Sequence, residues 1–231
     1  MKFDALTGQG LNLWAVLDIE TLPGDVYSLL SKACDEVSGY RQLLLMGHGG
    51  RRLWEVVSPM VERGAVADPI DTFTNTALIR FFAEVLPGVA YCIVYPGSSL
   101  VPLQQLGKLV GWHHDSPVKV GVNAQWGSWF AYRALVLVDA SLPVTPKIES
   151  VPPCSVCRDK VCLNACPGRA VTARAFDVNR CIAYRKLDEG QCRARCMARL
   201  ACPVGAEHRY SDAQLTYHYG CSLRVIEGMD S

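Results

Sequence analysis

Eight cysteines lie between Cys154 and Cys202, and this run constrains the fold more than any other part of the 231-residue chain. The first four have the spacing C-x2-C-x4-C-x3-C and end at Cys166, which Pro167 follows. The second four are Cys181, Cys192, Cys196 and Cys202, and Pro203 follows the last of them. Two runs that each end in Cys-Pro are typical of iron–sulfur ligands.

The pattern resembles that of two-cluster bacterial ferredoxins, in which the cysteine before proline ligates the cluster of the other run. That resemblance implies two [4Fe–4S] clusters. The first would be held by Cys154, Cys157, Cys162 and Cys202. The second would be held by Cys166, Cys181, Cys192 and Cys196. The spacings after Cys157 and on either side of Cys196 are longer than the usual x2.

Zinc and disulfides are the alternatives for so many cysteines. Zinc sites usually pair two short C-x2-C knuckles and lack the Cys-Pro endings. Disulfides require an oxidising compartment. The first residues contain no apolar core of a signal peptide, and no apolar run approaches the ~20 residues that span a membrane. We therefore expect iron–sulfur clusters in a cytoplasmic protein without a membrane segment.

The net charge of the chain is +1, but residues 150–210 carry eleven Lys or Arg against five Asp or Glu. One explanation is compensation of two anionic clusters, each with a charge of about −2 when oxidised. The other is a surface for tRNA or for a flavodoxin-like partner.

With 50% hydrophobic residues, a chain of this length holds a large and a small domain. We predict domains at 1–140 and 154–231, joined by a proline-rich linker at 141–153. Apolar runs predict strands at 11–19, 42–46, 89–95, 119–122 and 129–138. Helices are predicted around 27–34, 78–85, 102–112 and 214–218. The glycine group at 47–50 is interpreted as a turn or as an anion cradle.

The strand at 129–138 is apolar on both faces except at Arg133. A guanidinium there is costly without an anionic partner. That partner is either a carboxylate of the protein or an anionic group of a ligand.

Segments between Tyr91 and Pro203 resemble the epoxyqueuosine reductase family, which depends on cobalamin. The matching segments are Gly111-Trp112, Gly127-Ser-Trp-Phe130 and Arg180-Cys-Ile-Ala-Tyr184. The cysteines also occur in the same order as in that family. The resemblance implies an α+β chain, in which a nitroreductase-like α/β domain binds cobalamin and a small ferredoxin-like domain holds two clusters.

The front half is also similar to cobalamin-processing proteins that dealkylate and decyanate the vitamin. That similarity lies in Asp68-Pro-Ile-Asp71 and Trp129-Phe-Ala-Tyr-Arg133, and it implies that Arg133 contacts an anionic cosubstrate. Together the resemblances imply a cofactor-binding set of Tyr95, Lys108, Gly111, Trp112, Gly127, Trp129 and Arg133. Tyr95 stands where the epoxyqueuosine reductases have an acidic proton donor, so the acid of that reaction is not assigned.

Two functions are carried forward. The first is an oxidoreductase that passes electrons from two clusters to cobalamin, supplied by an external low-potential donor such as a flavodoxin or a ferredoxin reductase. In the second, the chain is a ferredoxin-type electron carrier whose N-terminal domain binds FMN or docks a partner. A tRNA substrate is less favoured than either.

Overall fold

The computed structural model describes residues 3–64 and 66–228. It divides into two compact units. The sheet unit comprises Met1–His113 and Phe130–Glu149, and the cysteine unit comprises His114–Trp129 and Ser150–Ser231. In this division 114–129 belongs to the cysteine unit, and the predicted linker 141–153 is divided, with 141–149 in the sheet unit and 150–153 in the cysteine unit.

The sheet unit contains four antiparallel strands in the order β1-β2-β4-β3. They are β1 (Leu13–Asp18), β2 (Gln42–Gly49), β3 (Tyr91–Tyr95) and β4 (Phe130–Val138). Every residue of β2 is buried, as expected of a central strand covered on both faces. Four of the five predicted strands are therefore confirmed, and the mixed α and β content agrees with the predicted class.

The described part of the sheet unit contains five α-helices. They are α1 (Asp4–Gly8), α2 (Gly24–Ala33), α3 (Arg52–Arg63), α4 (Pro69–Val85) and α5 (Leu103–Leu109). Helix α4 packs aromatic side chains near both edges of the sheet, because Phe81 stacks on Phe3, which in turn stacks on Trp14 of β1, while Phe82 stacks on Tyr91 of β3. The sequence patterns predicted α2, α4 and α5.

Two local predictions are wrong. Residues 47–49 of the glycine group are neither a turn nor an anion cradle, since they continue β2 and pair with β4. Gly47 permits this pairing because a Cβ there would lie 2.7 Å from the carbonyl oxygen of Ala131. Residues 119–122 form no strand, and only an isolated bridge joins Val122 to His114.

The proline-rich segment 141–149 has no regular structure, yet it is attached to the sheet unit by backbone hydrogen bonds. Thr145 N–H donates to the carbonyl of Val16, and its hydroxyl oxygen accepts from Val16 N–H. Ile148 N–H donates to the carbonyl of Val110. The segment is therefore attached to the sheet unit at Thr145 and Ile148, although most of its side chains are exposed.

The cysteine unit contains α6 (Pro153–Val156), α7 (Val161–Asn164), α8 (Val178–Lys186), α9 (Met197–Ala201) and α10 (Asp212–Gly228). The long α10 confirms the predicted closing helix, and α8 is longer than the short turns expected between ligands. None of the helices described for the two units has the length and apolarity that crossing a membrane requires.

We predict that Leu45→Ala in β2 destabilises the sheet unit by about 2–5 kcal/mol, because it removes a fully buried side chain from a packed sheet. Ile79→Ala on the exposed face of α4 is the control and should change the free energy of unfolding by less than about 0.5 kcal/mol. Chemical denaturation of the two variants measures the difference. Equal values would contradict a core centred on β2.

Candidate functional site

The first group of thiols is Cys154, Cys157, Cys162 and Cys202. Cys154 lies in α6, Cys162 lies in α7, and Cys202 follows the last residue of α9. Burial raises the pKa of Cys154, and the neighbouring thiols of Cys202, Cys162 and Cys157 raise it further. Burial also raises the pKa of Cys162, with Cys202 and Cys157 as the next causes. The fold thus brings Cys202 back to the cysteines of the first run.

The second group is Cys166, Cys181, Cys192 and Cys196. Cys181 lies in α8 and Cys196 immediately precedes α9. Burial raises the pKa of Cys181, and Cys196, Cys166 and Cys192 contribute to the rise. Burial raises that of Cys192 too, where Cys196 and Cys166 again act in the same direction. Cys166, the last cysteine of the first run, has therefore crossed to the second.

A cavity of about 170 Å³ lies among the second group of thiols. All four cysteines line it, together with Pro167, Tyr184, Arg185, Arg199 and Tyr219. Four convergent thiols around an open space fit a cluster that replaces four thiol protons with iron. The second group thus fits an iron–sulfur cluster by its donor atoms and by its space.

All eleven cysteines are free thiols in the structure. Among residues 3–64 and 66–228, no group of three or more His, Cys, Asp or Glu side chains is arranged to hold a single metal ion. The number and type of clusters therefore stay a prediction.

In the sheet unit, β-bulges lie beside Arg133 and Tyr95. Met46 pairs with Ala134 and Gly47 with Tyr132, which leaves Arg133 as the extra residue of β4. Val94 is the extra residue of β3, between the pairs formed by Ile93 and Tyr95. Bulges redirect side chains and are frequent next to active sites.

At this bulge, the guanidinium of Arg133 is held by a buried histidine of β2. Arg133 Nε donates to Nδ1 of His48 at 2.9 Å, and His48 is buried in β2. Burial raises the pKa of the Asp71 carboxyl, and the charge of Arg133 acts in the opposite direction. Burial also raises the pKa of the Tyr95 hydroxyl. The charge of Arg133 lowers this pKa, and that of Asp71 raises it. We call His48, Asp71, Tyr95 and Arg133 the polar cluster.

Two members of the polar cluster were not among the predicted site residues. Asp71 lies in the first turn of α4, and the only signal for it was the Asp-Pro-Ile-Asp segment. His48 was obscured because its glycine-rich surroundings suggested a turn. No spacing in the sequence relates these two residues to Arg133, since the sheet brings them together.

Three other predicted residues lie in the sheet unit, around the end of α5. Gly111 has φ +77°, and a Cβ there would lie 2.0 Å from the carbonyl oxygen of Ile148. Trp112 is buried and lies 6.5 Å from Tyr132, measured between ring centroids. Lys108 is exposed in the last turn of α5. Gly111 and Trp112 thus have packing roles in addition to any role at a cofactor.

Gly127 and Trp129 belong to the cysteine unit. Gly127 has φ +59°, and a Cβ there would lie 2.0 Å from the carbonyl oxygen of Val204, next to the second Cys-Pro. Trp129 is fully buried against Tyr210 and Leu215. The segment shared with the epoxyqueuosine reductases therefore packs on the backbone that follows the cysteines.

The fold is similar to those of epoxyqueuosine reductases and of a B12-trafficking protein. Epoxyqueuosine reductase from Bacillus subtilis matches with a TM-score of 0.55 and 12% identity over 91% of this chain and 66% of that one. An epoxyqueuosine reductase with an epoxyqueuosine-modified tRNA-Tyr stem loop matches with a TM-score of 0.54 and 12% identity, over 93% and 67%. The C. elegans B12-trafficking protein CblC matches with a TM-score of 0.50 and 14% identity, over 94% and 88%.

These likenesses confirm the predicted resemblance at the level of the fold. The chain spans about two thirds of the length of the reductases that it matches. No protein-family model matches the sequence, and no curated protein matches it.

We predict that Arg133→Met raises the pKa of Asp71 further, because it removes the positive charge that favours the carboxylate. A carboxyl whose pKa is raised by folding stabilises the fold below its unfolded pKa and loses that contribution as pH rises through its folded pKa. The substitution should extend this window to higher pH. An NMR titration of the Asp71 carboxyl carbon measures the change.

Arg80→Met is the matched control, because Arg80 is an exposed residue of α4 paired with Glu84. It should leave the titration of Asp71 unchanged. If Arg133→Met also leaves it unchanged, the two side chains do not interact as the structure indicates.

Proposed function

We propose that the protein is an iron–sulfur reductase that passes electrons from two [4Fe–4S] clusters to a bound cobalamin. The electrons serve either the reductive processing of cobalamin itself or the cobalamin-dependent reduction of a substrate. The observation that carries the proposal is the crossed grouping of the thiols, four with four, in the cysteine unit. The likeness in fold to epoxyqueuosine reductase and to a B12-trafficking protein supports it.

The cysteine unit supplies the ligands. Cys154, Cys157, Cys162 and Cys202 hold the first cluster, and Cys166, Cys181, Cys192 and Cys196 hold the second. Burial and neighbouring thiols disfavour the thiolates of Cys154, Cys162, Cys181 and Cys192, so metal binding must offset the loss of their protons. When bound, the clusters supply one-electron storage and cobalamin supplies a reducible cobalt centre. So many reactive thiols suit the cytoplasm, which is reducing.

The sheet unit supplies the polar groups for cobalamin. The corrin ring carries amide side chains and its nucleotide tail carries a phosphate. Arg133 and the Tyr95 hydroxyl are donors that suit these groups, and the Asp71 carboxyl is both an acceptor and, when protonated, a source of a proton. The donor set therefore fits. Lys108, Gly111 and Trp112 are proposed to line the same site. Gly127 and Trp129 stay cofactor-binding residues only as the resemblance implies.

The partner is an external low-potential electron donor, such as a flavodoxin or a ferredoxin reductase. The excess of Lys and Arg around the cysteines suits an acidic partner of this kind. The tRNA-bound reductase of similar fold keeps a tRNA substrate in consideration. Tyr95 stands where that family has an acidic proton donor. Reduction of epoxyqueuosine in tRNA is therefore the less favoured reaction.

The proposed electron transfer is tested with the loaded protein. Anaerobic protein with full iron and sulfide content is reduced, the excess reductant is removed, and hydroxocobalamin is added. We expect the visible bands of cobalamin to change to those of a reduced form while the cluster absorbance returns. Arg133→Met should weaken cobalamin binding without changing iron content.

Unchanged cobalamin bands beside clusters that stay reduced would contradict the proposal. FMN found in freshly purified protein would then favour the alternative, a ferredoxin-type electron carrier whose sheet unit binds a flavin.

The crossed ligand sets are tested by double substitution. Cys154→Ser and Cys202→Ser should each remove about half of the iron, because each breaks one of two equal clusters. The double variant should lose no more than either single variant, since both residues serve the same cluster. Cys196→Ser combined with Cys202→Ser should lose nearly all of it.

Cys221→Ser is the control for these measurements. Cys221 lies in α10, outside both groups, and accepts a hydrogen bond from Arg224. Its substitution should leave the iron content unchanged. Additive losses for Cys154→Ser with Cys202→Ser would show that the ligand sets follow the two runs without crossing.

A further inference from the structure

Two arginines of the cysteine unit are buried beside the second group of thiols. Arg185 on α8 is 7% exposed and Arg199 on α9 is 9% exposed. Both line the cavity that the four cysteines of this group surround. Arginine is seldom buried without a partner of opposite charge.

The hydrogen bonds of Arg185 end on neutral acceptors. Its Nε donates to the carbonyl of Cys192 at 3.2 Å, and its Nη2 donates to the carbonyl of Tyr219 at 2.9 Å. Its Nη1 donates to the hydroxyl of Ser222 at 2.9 Å. These bonds fix the guanidinium in place but do not balance its charge.

Arg199 is held in a similar way. It donates to the hydroxyl and to the carbonyl of Ser128. Its guanidinium carbon lies 4.4 Å from the centre of the Trp129 ring and 5.0 Å from that of Tyr210. Burial raises the pKa of the nearby Tyr219 to about 12, so this phenol is neutral and gives no countercharge either.

Within residues 3–64 and 66–228, neither guanidinium forms an ion pair with a carboxylate, so an anion nearby would balance two buried positive charges. Arg185 Nε donates to the backbone carbonyl of Cys192, and the side chain lines the same cavity as the four thiols, which places its charge close to them. A cluster held by this group carries a negative charge that increases when it accepts an electron. The guanidinium groups therefore stabilise the reduced cluster more than the oxidised one.

The first group of thiols has weaker positive neighbours. Lys160 is the cation that acts on Cys154, and it is exposed to solvent, which screens its charge. Arg209 donates to the carbonyl of Cys202 at 3.2 Å; its Nε is buried, but the residue as a whole is half-buried, whereas Arg185 and Arg199 are both buried. A buried charge acts through a lower dielectric than an exposed one and has the larger effect.

We propose that Arg185 and Arg199 raise the reduction potential of the second cluster above that of the first. The inference rests on the proposed function, because it requires both clusters. With both clusters bound, an electron shared between them would reside on the second, held by Cys166, Cys181, Cys192 and Cys196, and no proton would need to move with it.

The test is a reductive titration of the full-length protein with both clusters loaded, followed by visible and EPR spectra. We expect two one-electron steps in the unaltered protein. Arg185→Met should lower the potential of the step at the higher potential and leave the other step in place. Arg185→Lys, which keeps the charge, should restore most of the shift. Arg199→Met leaves the hydrogen bonds of Arg185 intact and should act in the same direction.

Arg180→Met is the matched control. Arg180 lies on the same helix as Arg185 and directly precedes the ligand Cys181, but it is exposed and paired with Asp177. Its loss should not move either step. A shift of the lower step, or of neither step, in Arg185→Met and Arg199→Met protein with full iron and sulfide would overturn the inference and leave the proposed function standing. Unaltered protein that takes up no clusters would overturn both.

Discussion

Eight thiols in one short segment must be gathered into two groups, and this requirement organises the cysteine unit. Each group takes its fourth member from the other run, so the segment cannot be divided into two independent halves. Cys202 returns to the first group only because α9 ends beside α7, and Cys166 reaches the second because the chain turns at Pro167. Loss of one ligand therefore affects a closed arrangement rather than a local loop.

The buried arginines extend the same constraint beyond the ligands. Arg199 connects the second group to Ser128 and Trp129, and Gly127 allows the backbone of Val204 to approach. The segment 114–129 thus belongs to the cysteine unit although the chain returns to β4 immediately after it. Positive charge and aromatic packing thus lie at the second group, while the close backbone contact lies beside Cys202 of the first.

In the sheet unit, irregularity of the strands matters more than their regular pairing. The bulge at Arg133 turns one side chain of an apolar strand towards His48, and the bulge at Val94 sets the position of Tyr95. Burial raises the pKa values of Asp71 and Tyr95, and the guanidinium of Arg133 opposes the rise in both. The polar cluster has the chemistry for an anionic or amide-bearing ligand.

Local patterns in the sequence predicted much of this chain. Apolar runs located all four strands of the sheet, and helical periodicity located α2, α4, α5 and α10, because burial of one face leaves a regular trace. The glycine group at 47–50 was misinterpreted, since glycine permits both a turn and a crowded strand. Helix α3 was not predicted, although its sequence has one apolar and one polar face.

The sequence by itself determined where the reactive thiols lie, and their spacing and Cys-Pro endings predict how they would be shared between two clusters. It also marked Arg133 as a charge that needs a partner. Only the tertiary structure decided what surrounds them. His48 lies 85 positions from Arg133, and Ser128 lies 71 from Arg199. Contacts between residues so far apart depend on strand register and helix packing, which no local spacing encodes.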